Sequence, residues 1–269
     1  MKPEASLEDN TKRLLISKTK SFETSWIRQY QLLMRIQFSD YKSSFPFFIL
    51  IGIILPLGFL WIQSSINQEK GYHASWYLAG NLMLSVVLGS AGFVIARMAW
   101  LRIRKELDYY GTLPIRKIVF ILSLFTLSQC SSLPGLAITL IIGKLLLEIP
   151  LYNIIIAVPI TLIATCSLIF VGAALGSISR TMGEVNLYSN LLTVFVVFLS
   201  PVFAPLNELP FIIKLTSYVL PTGQAILCLT DAFSGNFNLH FWLLLIALIL
   251  WLVICGFLVL KKLDWKKDY

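Results

Sequence analysis

Few side chains in this sequence could do chemistry, and those few do not gather. Glu184 and Asp231 are the acidic residues set closest to apolar runs, and neither has a partner near it in sequence. A membrane enzyme would need polar groups collected at one depth, with an acid or base beside a nucleophile or a charge stabiliser. HExxH and GxSxG do not occur, and there is no His/Cys cluster. Cys130, Cys166, Cys228 and Cys255 are scattered through apolar runs without a CxxC pair, which reads as buried free thiols. His73, alone in a polar stretch, reads as a solvated histidine. The nearest approach to GxxxxGK[ST] is the string 111–117, with Arg116 where the second glycine belongs and Ile118 where the hydroxyl belongs. ATP therefore cannot be held here through a P-loop.

Those absences matter because of the elements that would have to position a site. The chain has 269 residues, 57% of them hydrophobic and only 13% charged, with a mean hydropathy of +0.78. A soluble domain carries about 25% charge. Several apolar runs exceed the ~18 residues that a spanning helix needs, and none alternates as a barrel strand would. The expected fold class is all-α integral membrane. Its spans fall at about 45–63, 76–97, 118–142, 154–177, 187–202 and 239–260. The first twenty residues are polar and mixed in charge. They read as a flexible tail with no cleavable signal, so the first span serves as its own targeting signal.

The net charge of +8 follows topology. Of 22 Lys and Arg residues, 19 fall on the termini and alternate loops and 3 on the others. That asymmetry puts both termini in the cytoplasm and the basic loops against anionic lipid, which argues against a nucleic-acid partner. No carboxylate or cation lies in the central part of a span, and a proton relay would need one. Sodium sites built of carbonyls stay open.

Residues 21–44 read as a basic amphipathic helix. Phe22, Trp26, Tyr30, Leu33, Met34, Phe38 and Tyr41 recur every three or four positions, with Arg28, Gln31, Arg35 and Lys42 mostly off that stripe. Such a helix lies in the membrane interface or packs on a soluble partner. Pro56 reads as a kink in span 1. Span 2 is rich in small residues, Gly80, Ser85, Gly89, Ser90, Ala91 and Gly92, which let a neighbour approach closely. Between spans 2 and 3, the string 97–117 is the densest charged connection. A helix is expected to run on through Glu106, Gly111 to permit a turn, and Pro114 to restart the chain into span 3. Glu106, Asp108 and the tyrosines Tyr109 and Tyr110 make this more than a basic loop and suggest a docking knob.

Span 3 carries Ser123, Thr126, Ser128, Gln129, Ser131 and Ser132, which either bond between helices or line a wet path. Lys144 and Glu148, four apart, could pair weakly. Gly172 and Gly176 form a GxxxG in span 4, a packing motif with a high chance rate. After span 5 the prolines Pro201, Pro205, Pro210 and Pro221 follow closely, with a short apolar stretch at 211–220. Proline removes a donor and disfavours helix before it. The chain should break near Pro201. Its next part is either a short piece folded back at the membrane face or an ordinary loop with interfacial aromatics.

Taken together, ELDYYGTLPIRK before span 3 and LSPVFAPLNELPFIIKLTSYVLPTG after span 5 resemble the ABC-2 type transporter permeases of bacterial ABC exporters. The family's pattern after span 5 is matched by Ser200, Pro201, Phe203, Pro205, Glu208, Leu209, Pro210 and Pro221. An arginine that the family often carries next has no counterpart, since Leu229, Thr230 and Asp231 stand there. The resemblance implies a bacterial plasma-membrane, multi-pass subunit without its own ATPase site or cofactor. ATP and Mg would be bound by two copies of a separate ABC ATPase subunit, and a second permease copy, identical or not, would complete the assembly. It implies that Glu106, Asp108, Tyr109, Tyr110, Gly111, Thr112 and Leu113 contact the ATPase, with Arg180 and Glu184 as a smaller contact. Trp26, Arg28, Tyr30, Arg35 and Phe38 would act from the interfacial helix. The path would lie between subunits along spans 2 and 5. Tyr188, Phe195, Phe198, Pro201, Phe203 and Pro205 are its candidate lining or gate, although plain packing would also suit the three aromatics of span 5. The absence of charge in the spans favours a lipophilic or amphipathic cargo. A lipid-modifying membrane enzyme and an ATP-independent channel or carrier are the other readings the residues allow.

Overall fold

The computed structural model describes residues 26–42, 45–66, 72–113, 115–147 and 149–262. Every regular element among them is helical. We number these helices α1 (Trp26–Tyr41), α2 (Phe45–Ile66), α3 (Tyr72–Val86), α4 (Gly92–Ile103), α5 (Glu106–Thr112), α6 (Lys117–Leu147), α7 (Leu151–Ile178), α8 (Met182–Leu199), α9 (Phe211–Val219), α10 (Pro221–Ser234) and α11 (Leu239–Lys262). Among the described residues six stretches are long and apolar enough to cross a membrane: α2, the run Ala74–Ile103, α6, α7, α8 and α11. They are spans 1 to 6. The expected tail at 1–20, Phe22, the loop 67–71, Pro114, Glu148 with its pairing to Lys144, and residues 263–269 lie outside the described residues.

Span 2 is the centre of the protomer. Over an apolar 18-residue stretch of it, 89% of the residues are buried, against 11% for span 5. The small side chains explain this. Gly89 presses on Ser132 of span 3, and Gly172 and Gly176 of span 4 lie against the backbone of Ala91 and Ile95. The GxxxG of span 4 is thus a packing surface for span 2. Within span 2, Val87–Ala91 forms a π-helical turn that joins α3 to α4. Ser131 of span 3 donates to the Gly89 carbonyl at 2.8 Å, so one polar group of the irregular turn is satisfied by a neighbour. Ser85 likewise donates to the Gly52 carbonyl of span 1 at 2.6 Å. The polar residues of span 3 therefore include bonds between helices. Ser123 and Ser128 also bond back to their own helix. Pro56, Pro134 and Pro159 sit inside α2, α6 and α7, each of which continues past its proline.

The break after span 5 is larger than a fold-back. The short helix α9 meets α10 at 90°. Helix α10 is wedged between spans 2, 4 and 6, with nearly all of its length buried. The stretch 221–234, expected to belong to an outer connection, is instead a core element. Its ends obey simple rules. Pro221 stands at the first turn, where a missing N–H costs nothing. Gly235 closes the helix at φ 73°, and bonds from Gly235 N to Ala232 O and from Asn236 N to Asp231 O complete a Schellman cap.

Candidate functional site

At one end of the bundle the chain leaves span 2 and builds a knob. Helix α4 stops at Ile103, and Lys105 takes the left-handed conformation at φ 57°. The turn therefore falls at Arg104–Lys105, and the helix does not run on through Glu106. Gly111 lies inside α5 instead of making the turn. The cause is electrostatic: Glu106 and Asp108 occupy the first turn of α5, where carboxylates favour the positive helix end. The Glu106 carboxylate also lies 3.9 Å from Arg97 and 3.8 Å from Arg104, which draws it back over the end of α4. Arg104 stacks on the Trp100 ring, 4.2 Å from its centroid.

The tyrosine pair divides its work. Tyr110 is buried against Phe120 of span 3, with ring centroids 5.1 Å apart, while Tyr109 points to solvent. Burial pushes the Tyr110 phenol above its ordinary pKa, and nearby Arg97 opposes that rise. Asp108 and Thr112 are exposed, and Leu113 is half-buried behind the knob. Asp40, Arg104, Glu106, Tyr109 and Tyr110 line an open hollow of about 310 Å³ between α1 and α5.

Arg97 is the residue that sequence reading missed. Placed in the basic connection by its position, it is instead 2% exposed, inside α4. Its guanidinium lies 3.3 Å from Asp40 of α1 and 3.9 Å from Glu106 of α5. The signal available was modest: a lone arginine preceded by a long apolar run, with carboxylates on both flanking segments.

Helix α1 docks on span 3 through Tyr30, which donates to Thr126 at 2.8 Å, Leu33, and Gln37, which donates to Ser123 at 2.9 Å. Trp26, Arg28, Arg35 and Phe38 are exposed. The single aromatic stripe read from spacing is thus two surfaces, and a glutamine occupies the buried one.

Thr181 and Glu184 form a cap at the start of span 5. Thr181 Oγ1 accepts from Glu184 N at 3.3 Å, and the Glu184 carboxylate accepts from Arg180 N at 2.7 Å. Glu184 thus has a structural task, signalled in sequence by Thr-x-x-Glu. Arg180 is exposed at the same end as α5.

Tyr188 is half-buried on span 5, whereas Phe195 and Phe198 point away from the protomer. On span 2 the half-exposed residues are Leu88, Gly92, Ala96, Trp100 and Ile103, one ridge at spacings of four and three. Gly92 lies close to Ser189 of span 5, and Ala96 packs with Leu192 of span 5 against one buried cluster, Ile95, Ala99 and Val185. The open ridge of span 2 therefore looks toward span 5.

The broken segment is tied down at the opposite end. Buried Trp76 of span 2 donates to the Pro201 carbonyl at 2.7 Å, and Gly80 leaves room for the Val202 backbone where a Cβ would collide. Ser200 bonds Thr222 at 2.5 Å and Thr216 donates to the Leu199 carbonyl at 2.8 Å. Gln224 donates to the Tyr218 carbonyl and Trp251 of span 6 to the Val219 carbonyl, at 2.6 and 2.9 Å. Pro201 and Pro205 are buried; Phe203 reaches the Phe59 ring of span 1, centroids 5.0 Å apart. Asn153 bonds the Phe233 carbonyl at 2.8 Å, and Asp231 meets His240 at 3.2 Å. Among the described residues no group of His, Cys, Asp and Glu could hold a metal.

A family model described as "ABC-2 type transporter" matches residues 20–234, from just before α1 to the end of α10. No curated protein matches the chain.

Proposed function

The chain belongs to the ABC-2 type transporter family, and on that premise we propose that it is the transmembrane permease subunit of an ATP-driven exporter. A separate ATPase, two copies per assembly, binds ATP and Mg and docks on the basic end, which faces the cytoplasm of a bacterial cell. The observation that carries this reading is the pairing of α5 with α1 at one end of the bundle. Helix α5 caps the most buried span, so a push on it reaches the centre of the protomer. Span 2 turns its unburied ridge to span 5, and span 5 presents Leu187, Leu191, Val194, Phe195 and Phe198 outward. That apolar face suits a second copy, identical or not, with the path between the two. Pro201, Phe203 and Pro205 belong to a segment that closes this path at the outer end. The cargo is lipophilic or amphipathic, taken from the cytoplasm or the inner leaflet.

The test is ATP hydrolysis by the purified chain and by its complex. The chain alone in nanodiscs should hydrolyse no ATP above the empty-disc rate. A P-loop ATPase that copurifies with it should hydrolyse ATP, and should be lost when Tyr109–Tyr110 are deleted, while membrane insertion is retained. Retention of the ATPase by that deletion would remove the knob from the docking surface.

A further inference from the structure

We propose that Arg97 is a positioning residue that clamps α1 and α5 into one unit on the end of span 2, and that this clamp presets the surface an ATPase grips. The second half rests on the function proposed above. Three observations converge on it. Arg97 is 2% exposed, and its guanidinium bridges carboxylates from two elements far apart in sequence, Asp40 at 3.3 Å and Glu106 at 3.9 Å. A buried guanidinium is tolerated only where such partners offset its desolvation. Asp40 also sits in the last turn of α1, where the helix dipole disfavours a carboxylate, so that it needs a cation in front of it.

The third observation is the backbone of Lys105. A non-glycine residue at φ 57° is uncommon and costs about 1–2 kcal/mol. Such a conformation persists where its surroundings hold it. Here the restraint is the Glu106 carboxylate, drawn to Arg97 on one side and Arg104 on the other. Without Arg97, α5 would keep the strained joint and the buried Tyr110 ring, and α1 its seat on span 3 and the Gln29 bond to Arg116 N, but nothing charged would tie the two helices to each other through span 2. With Arg97, the two helices stand at fixed spacing around the hollow lined by Asp40, Glu106, Tyr109 and Tyr110. Presetting two contact elements lowers the ordering cost of binding.

The experiment uses the full chain in lipid nanodiscs, with its four cysteines replaced and spin labels at Ser39 and Asp108, both exposed. Their distance distribution should be narrow in the parent. It should at least double in width in Asp40→Asn, which keeps the cation and the fold, and in Arg97→Lys, whose single ammonium cannot span both carboxylates. A label pair on spans 3 and 6 should be unmoved in both variants, which separates a loosened clamp from a misfolded chain. Unlabelled protein then reports affinity for the copurifying ATPase, which should fall about tenfold in Asp40→Asn. Unchanged widths in both variants overturn the clamp. Doubled widths with unchanged affinity overturn its service to docking. Failure of the parent chain to bind any ATPase overturns the proposed function instead, and the label widths still judge the clamp.

Discussion

Replacing Trp76 by phenylalanine isolates one bond that holds the broken segment to the centre of the molecule. Trp76 is fully buried, and its indole N–H donates to the Pro201 carbonyl at 2.7 Å. Phenylalanine keeps an aromatic ring but has no donor. The Pro201 carbonyl would then be left facing apolar surroundings, which costs about 1–3 kcal/mol. The segment affected runs from Pro201 through α9 into α10, so α10 should open more often. Cys228 reports that opening without any added probe, because it is fully buried in α10. In a background where Cys130, Cys166 and Cys255 are serine, labelling of Cys228 by a membrane-permeant maleimide proceeds through the open state, and its rate follows the open population. A cost of 1–3 kcal/mol raises that rate by about 5- to 150-fold. Trp251→Phe tests a second tie of the same segment. Its indole serves the Val219 carbonyl at 2.9 Å from the half-buried middle of span 6, where lipid offers no replacement donor. It should likewise raise the rate by about fivefold or more. A Trp76→Phe rate within about twofold of the parent would refute the reasoning, since it would mean the Pro201 carbonyl finds another donor or the bond anchors nothing.

Two further substitutions test packing against propensity. Gly223→Ala gains helix propensity of about 1 kcal/mol, yet its Cβ would collide with the Ser217 backbone where α9 turns into α10. Overpacking should win, lowering stability by about 1–2 kcal/mol net, whereas Gly58→Ala, whose Cβ would meet nothing within 4 Å, should raise the melting temperature. Gln37 is fully buried and bonds Ser123 through its amide N–H, while its Oε1 finds no partner among the described residues. Ser123 also donates to the Phe120 carbonyl. Gln37→Leu should therefore melt within about 1 kcal/mol of the parent or above it, and Gln37→Ala should lose about 2 kcal/mol to the cavity it leaves. A strongly destabilised Gln37→Leu would show that the amide bond, and not the volume, seats α1.

The sequence by itself determined the class and the punctuation of this fold. Apolar runs of spanning length can only be helices when lipid offers no hydrogen bonds. The prolines after span 5 could only interrupt, and Glu106 to Leu113 could only stand outside the membrane. What it could not determine is which apolar face meets protein and which meets lipid. Both are apolar, so span 2, where 89% of an 18-residue stretch is buried, and span 5, where 11% is, look alike when read one helix at a time. Tertiary structure made that distinction, through the small residues of spans 2 and 4. It also turned 221–234 from a presumed outer connection into a core helix, because the bend against α9 is fixed by distant partners such as Trp76, Ser200 and Asn153. Arg97 shows the same limit from the polar side. An arginine at a helix end reads as solvated until the fold brings Asp40 and Glu106 to it from two other elements, and a burial that would be prohibitive alone becomes a joint.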